Sequence, residues 1–184
     1  MAVANNNTNP SQHYIDSARA EFKKLKALGD GAFAQLESQH FHYKPDTESN
    51  SIAIIIQHIS GNMISRWTDF LTTDGEKPTR DRDKEFEEIE QDKDALLSSW
   101  ETGWKVFNNA LDSLSGDDMM KEVTIRGEKH TVIQAINRQL THYGYHIGQI
   151  VYLAKHIRSS DWKTLSIARN RSEEFNRNMK AKEE

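Results

Sequence analysis

An apolar period of three and four residues recurs four times along this chain and constrains its fold more than any other feature. Tyr14, Ala18, Phe22, Leu25 and Leu28 carry it first, within a stretch reading as helix from about Gln12 to Leu36. Ile52, Ile55, Ile56, Ile59, Met63, Trp67 and Phe70 carry it next. Leu96, Trp100, Trp104, Phe107, Ala110, Leu111 and Leu114 form a third stripe, and Ile133, Ile136, Leu140, Ile147, Val151 and Ala154 a fourth that runs to about Arg158. Residues at these spacings share one face of a helix, and a face that apolar must pack against another element. The only three prolines, Pro10, Pro45 and Pro78, lie outside all four stretches, as a helix interior requires. The expected fold class is therefore all-α, a four-helix bundle.

Local signals set the boundaries. Asn50 or Ser51 is placed to cap the second helix, and Thr131 followed by Gln134 is a capping-box pattern opening the fourth. Gly116 is a stop for the third, and Gly29 with Gly31 predicts a kink late in the first. "HYKPDTESNS" reads as a loop, and "TTDGEKPTRDRD" breaks the pattern after the second helix. Connections this unequal argue against a simple up-and-down series. In "EVTIRGEKHT", Val123 and Ile125 alternate with polar residues around "RGE", so a small hairpin is expected between Val123 and His130. The reading divides the chain into a disordered tail at residues 1–11, the helical domain at 12–168 and a charged extension at 169–184. The remainder after the fourth helix, "DWKTLSIARNRSEEFNRNMKAKEE", starts with the apolar anchors Trp162, Leu165 and Ile167 before it becomes charged.

Charge and composition exclude several classes of function. A net charge of −4 argues against a nucleic-acid binder, whose footprint is a basic face. No apolar run reaches the roughly 20 residues needed to cross a bilayer, so no membrane role is expected. The opening "MAVANNNTNPSQ" lacks a basic region followed by an apolar one, and with no cysteine in the sequence the expectation is a cytoplasmic protein. The lack of cysteine also removes thiolate catalysis and sulfur-ligated zinc. A metal site here has only His, Asp and Glu to draw on.

The fourth helix raises that question directly. His142 and His146 are four apart, a spacing that puts two rings on one face about 5–6 Å apart at Cβ. Tyr143 follows the first histidine where a zinc protease has glutamate, so a protease is excluded. The pair falls nearly opposite the apolar stripe, in a row with Ala135, Gln139, Gln149 and Leu153 that carries no charge. An uncharged polar row suits a cleft lining. On the second helix His58 lies off the main stripe, beside the small residues Gly61 and Ser65, which leave room for the ring. Two readings follow: histidines hydrogen-bonded within a core, or three neutral imidazoles that suit Zn²⁺ or Ni²⁺. The other histidines, His13, His40, His42, His130 and His156, fall in tails, loops or solvent faces, and "HFH" reads as a chance surface pair.

Taken together, the His58 helix continuing through "GNMISRWTDFLTTDGEKPTRDRDKEFE", then "THYGYHIGQIVYLAKH" and the tail "DWKTLSIARNRSEEFN", resemble the DinB/YfiT-like superfamily of metalloenzymes. Within it, the likeness is to a bacterial branch known only as a domain of unknown function. The resemblance covers nearly the whole chain after the N-terminal tail. It implies a four-helix bundle of up-down-down-up topology and a divalent metal ion in a cleft, held by His58, His142 and His146. It also implies a homodimer acting on a small-molecule substrate, in many members by joining a low-molecular-weight thiol (bacillithiol, mycothiol or glutathione) to an electrophile. A water-activating hydrolase and a non-catalytic metal-binding or stress-response protein are the alternatives. Asn62, Arg66, Asp69, Arg80, Arg82 and Glu85 belong to the branch motif. They read as salt bridges and loop anchors, or as an arginine cluster gripping a thiol's carboxylate at the cleft mouth. Tyr145, on the side of the helix that carries Arg138, reads as a surface tyrosine or as a group that orients the substrate.

Overall fold

The computed structural model describes residues 9–181. Four long helices supply the core: α1 (Pro10–Phe33), α2 (Ile52–Trp67), α3 (Lys93–Ser113) and α4 (Val132–Arg158). A hairpin of β1 (Glu122–Ile125) and β2 (Glu128–Thr131) precedes α4, and a fifth helix, α5 (Ser172–Lys180), follows it. α1 packs along α4 and α2 along α3, while α2 also meets α4. No helix among the described residues is long and apolar enough to cross a membrane. Most of the tail expected at residues 1–11 lies outside the described residues. Pro10 and Ser11 already belong to α1, which Pro10 opens and Asn9 caps, its side chain accepting from the Ser11 amide.

The other helix starts follow their signals. Ser51 Oγ accepts from the Ile54 amide at 3.3 Å, and Asp92 Oδ1 from the Ala95 amide at 2.8 Å. At α4 the capping box closes both ways: Thr131 N donates to Gln134 Oε1 and Gln134 N to Thr131 Oγ1. The hairpin pairs Val123 with His130 and Ile125 with Glu128. Arg126 and Gly127 turn it, both with positive φ of 56° and 77°, as a two-residue primed turn demands.

α1 runs unbroken through both of its glycines. The glycines serve packing instead. A Cβ on Gly29 would stand 2.8 Å from the Trp100 ring of α3, and one on Gly31 would stand 2.8 Å from Leu165. Trp100 Nε1 donates to Asp30 Oδ1 at 2.8 Å beside that contact. Leu165 belongs to the segment after α4, which docks as its apolar anchors suggested: Lys163 exchanges two hydrogen bonds with the Gln35 side chain. Ile167 stays exposed, and α5 buries none of its residues.

Aromatic rings fill the middle of the core. Phe22, Trp67, Trp104, Phe107 and Tyr143 meet edge to face with centroids 4.5–5.9 Å apart. Tyr143 is wholly buried, and its hydroxyl is satisfied: Trp67 Nε1 donates to it at 3.2 Å, and it donates to Asn62 Oδ1 at 3.3 Å. Gln139 Nε2 reaches the same Asn62 oxygen at 2.8 Å. Asn62 and Trp67 lie on α2, Gln139 and Tyr143 on α4, so this buried polar network fixes how α2 sits against α4.

Two glycine substitutions are expected to move stability in opposite directions. Gly29→Ala forces a methyl into Trp100 and is expected to destabilise by about 1–3 kcal/mol. Gly148→Ala, at an exposed position of α4 with open space around it, is expected to stabilise by about 0.5–1 kcal/mol through helix propensity. Urea unfolding followed by circular dichroism distinguishes the two.

Candidate metal centre

α2 is buried on nearly every side, which is what its almost uninterrupted apolar composition calls for. α3 covers one side, α4 another, and a 3₁₀ turn at Lys84–Phe86 a third, with Gln57 Nε2 donating to the Lys84 carbonyl at 2.8 Å. His58 therefore points into protein, toward α4. There His142 and His146 stand one turn apart, their ring centroids 5.2 and 4.9 Å from that of His58 and 4.8 Å from each other. One ring nitrogen from each of the three lies within 4.8 Å of the others, a grouping able to hold a metal ion. His58 Nε2 and His142 Nε2 are 3.1 Å apart. Two nitrogens on one tetrahedral zinc, each at about 2.0–2.1 Å, stand roughly 3.3 Å apart.

The outer nitrogens are committed elsewhere. His58 Nδ1 lies 2.9 Å from Glu85 Oε2. An ionised carboxylate only accepts, so Nδ1 carries a proton there, and Nε2 is the nitrogen that faces the cluster. His146 Nδ1 likewise donates to the Gln149 Oε1 acceptor at 2.9 Å, which again leaves Nε2 free. Glu85 is held by Arg80 through two charge-assisted bonds of 2.7 Å, one to each carboxylate oxygen. Phe86 lies over the His58 ring with centroids 4.5 Å apart. A carboxylate behind a ligating histidine is the usual outer support of a metal site, fixing tautomer and ring angle. This donor set fits a divalent ion.

Electrostatics favour the same form of the rings. Burial, followed by the nearby His146, His58, Arg66 and Arg80 charges, pushes His142 down to about 3. Burial pushes His146 down to about 4 against the hydrogen bond to Gln149. Both are neutral imidazoles at pH 7, the form that ligates metal. Burial raises the Glu85 carboxyl, but the hydrogen bonds from His58 and Arg80 outweigh it and hold Glu85 below its ordinary value.

The structure corrects two expectations about the helix faces. The buried face of α4 is centred on Val132, Ile136, Tyr143 and Ile150, while Ile133, Leu140 and Val151 are its half-buried flank. The histidine row is therefore the edge of the core face and not its opposite. Beside His58, the space left by Gly61 is not empty room: the Glu85 carboxylate occupies it, and any Cβ there would collide with that group. Ser65, the other small residue, caps a loop, accepting from Lys77 N and donating to the Gly75 carbonyl.

Glu85 is the site residue that sequence reading undervalued, taking it for a loop anchor. Its partner His58 is 27 residues away across an irregular connection, and no periodic pattern reports that contact. The remaining histidines do not join the cluster. His42 Nε2 bonds to the Gln91 carbonyl, the His40 ring to the Glu37 amide, and His156 stacks on Tyr43. Tyr145 is exposed, yet its ring packs edge-on against His146 at 4.9 Å, and it lines the same cleft. That cleft has a volume of about 760 Å³ and opens over the three histidines.

Neither a curated protein nor a solved structure matches this chain. One family model does match, over residues 9–184, which takes in all four long helices, the hairpin and the three clustered histidines. The chain belongs to the family described as protein of unknown function (DUF1572).

Proposed function

We propose that the protein holds one divalent ion, zinc or nickel, on His58, His142 and His146, and uses it in the transfer of a low-molecular-weight thiol to an electrophile. The observation that carries the metal is the convergence of three imidazoles, two of them with their outer nitrogens already donated. A bound divalent ion supplies electrophilic stabilisation of an anionic donor such as a thiolate. The residues around it supply the rest. Glu85 and Gln149 hold the rings, Phe86 shields His58 from water, and the cleft admits a small molecule. With no cysteine in the chain, the nucleophile must come from outside. In the transfer an S–C bond forms, the carbon–leaving-group bond breaks, and the thiol proton passes to solvent.

The fold supports this reading through the long connection of residues 68–92, which gives the reach for α2 and α3 to run the same way, as an up-down-down-up DinB-like bundle requires. Water-activating hydrolysis is the weaker reading. No Asp or Glu lines the cleft among the described residues, and both oxygens of Glu85 are engaged, so a free carboxylate base is missing.

Elemental analysis of untagged protein is expected to find about one divalent ion per chain. His142→Ala is expected to lower occupancy by more than about tenfold, with helical circular dichroism unchanged. Glu85→Gln is expected to cost about 10–100-fold in metal affinity, the range seen when an outer support of a ligating histidine is lost; unaltered affinity would remove Glu85 from the site. Conjugation of bacillithiol, mycothiol or glutathione to a chlorinated dinitrobenzene is expected above the uncatalysed rate and lost in His146→Ala. Metal binding with no conjugation of any thiol across a varied electrophile panel would instead mark a non-catalytic metal-binding protein.

A further inference from the structure

The cleft above the histidines is strongly one-sided in charge. Arg66, Arg80, Arg82, Arg126 and Arg138 all line it, and no acidic side chain does so among the described residues. The chain as a whole carries a net charge of −4, so this is a local concentration against the overall balance. The carboxylates that reach these five guanidiniums are Glu76, Glu85 and, at 3.9 Å on the surface, Asp83. Glu76 alone serves Arg66, Arg80 and Arg126.

Two of the arginines are left with capacity to bind. Arg66 is 2% exposed, and its Nη1 is buried without any hydrogen-bond acceptor. Its Nε donates to the Gly75 carbonyl at 3.2 Å, and its Nη2 stands 3.8 Å from Glu76, too long for a hydrogen bond. A buried guanidinium hydrogen left unpaired is costly and rare in a native core. The exposed side chain of Arg138, one turn before His142 on α4, makes no hydrogen bond or ion pair with the described residues. Burial above all, and then the nearby Arg138 and Arg80, push Arg66 down to about 10 against the pull of Tyr143 and Glu76. Arg66, Arg80 and Arg138 line the same cleft as His58, His142 and His146, so arginines and histidines share one site.

We infer that the cleft binds its small-molecule substrate by an oxyanion, a carboxylate or a phosphate, seated on Arg66 Nη1 and Arg138 beside the three histidines. This rests on the proposed function only in placing the reactive end of that molecule at the metal; the anion seat itself is built by the arginines. Guanidinium donors suit planar and tetrahedral oxyanions, and a buried donor binds them more strongly than a surface one. Three neutral imidazoles leave a divalent ion with its full charge, which sharpens the need for an anionic ligand in the same cleft. The anion and the metal are accordingly expected to strengthen each other's binding, by the same factor in both directions.

The test is calorimetric titration of metal-free protein with succinate and, separately, inorganic phosphate, in buffer of fixed ionic strength. Saturable binding of at least one is expected, and the preferred anion identifies the oxyanion class. Arg138→Gln is expected to weaken it by about tenfold or more, the loss of a charge-assisted bond. Lys155→Gln, which removes the same charge from an exposed position of α4 outside the cleft, is expected to leave it unchanged. In a second titration, zinc is expected to bind more tightly in the presence of succinate than in its absence, after correction for zinc–succinate association. Lack of saturable binding of both anions to metal-free protein would overturn the proposal, as would equal affinities in Arg138→Gln and Lys155→Gln. A protein that takes the anion but no metal would retain the anion seat and refute the metal reading alone.

Discussion

The geometry of the cleft depends on one buried oxygen. Asn62 Oδ1, a turn along α2 from His58, accepts from Gln139 and Tyr143, which flank His142 on α4. Packing of Ile and Leu against each other tolerates small slides, because dispersion is weak per atom pair and nearly non-directional. A hydrogen bond of 2.8 Å between buried groups does not, since leaving either group unpaired costs about 1–3 kcal/mol. The polar network thereby converts a permissive apolar contact into a fixed register, and the three rings inherit that register.

A second set of constraints comes from outside the helices. The connection after α2 returns to α2 through Ser65, Arg66 and Gln57, and to the hairpin through Asp74, which accepts from the backbone amides of Arg126 and Gly127 at 2.9 Å. Its most consequential residue is Glu85, pressed into the gap above Gly61 and held there by Arg80. The loop thus braces the histidine cluster without adding a histidine to it. Helices supply the rings, and irregular chain supplies their orientation.

Much of this was legible from residue order. The stripes, the Ser51, Thr131 and Gln134 caps, the hairpin at Val123–His130 and the histidine spacing all rest on local periodicity or turn chemistry, which short windows capture. The rotational phase of α4 was misread for a definite reason. Counting aliphatics places the face on Ile133, Ile136, Leu140, Ile147, Val151 and Ala154. Of these, Ile136, Ile147 and Ala154 are buried, but the other three are only half-buried, because Tyr143 takes the centre with its hydroxyl on Asn62 and Trp67 of another helix. The glycines of α1 were read as weak points for a related reason: a sequence shows the missing side chain but not the Trp100 ring that fills the space. The role of Glu85 likewise depends on His58, 27 residues back along the chain, a contact that no short window of sequence reports.

The separation of those partners also sets an order of events. His58 pairs with His142 across 84 residues, and Asp74 reaches the hairpin turn across 52 and 53. Contacts that distant close large loops and form late, after local helices are in place. Early in folding the chain therefore holds helices that carry all three imidazoles but no site. The Asp74 clasp on Arg126 and Gly127 and the seating of Glu85 belong to the final consolidation. The convergence of the three imidazoles is accordingly a property of the finished tertiary structure and of no single helix.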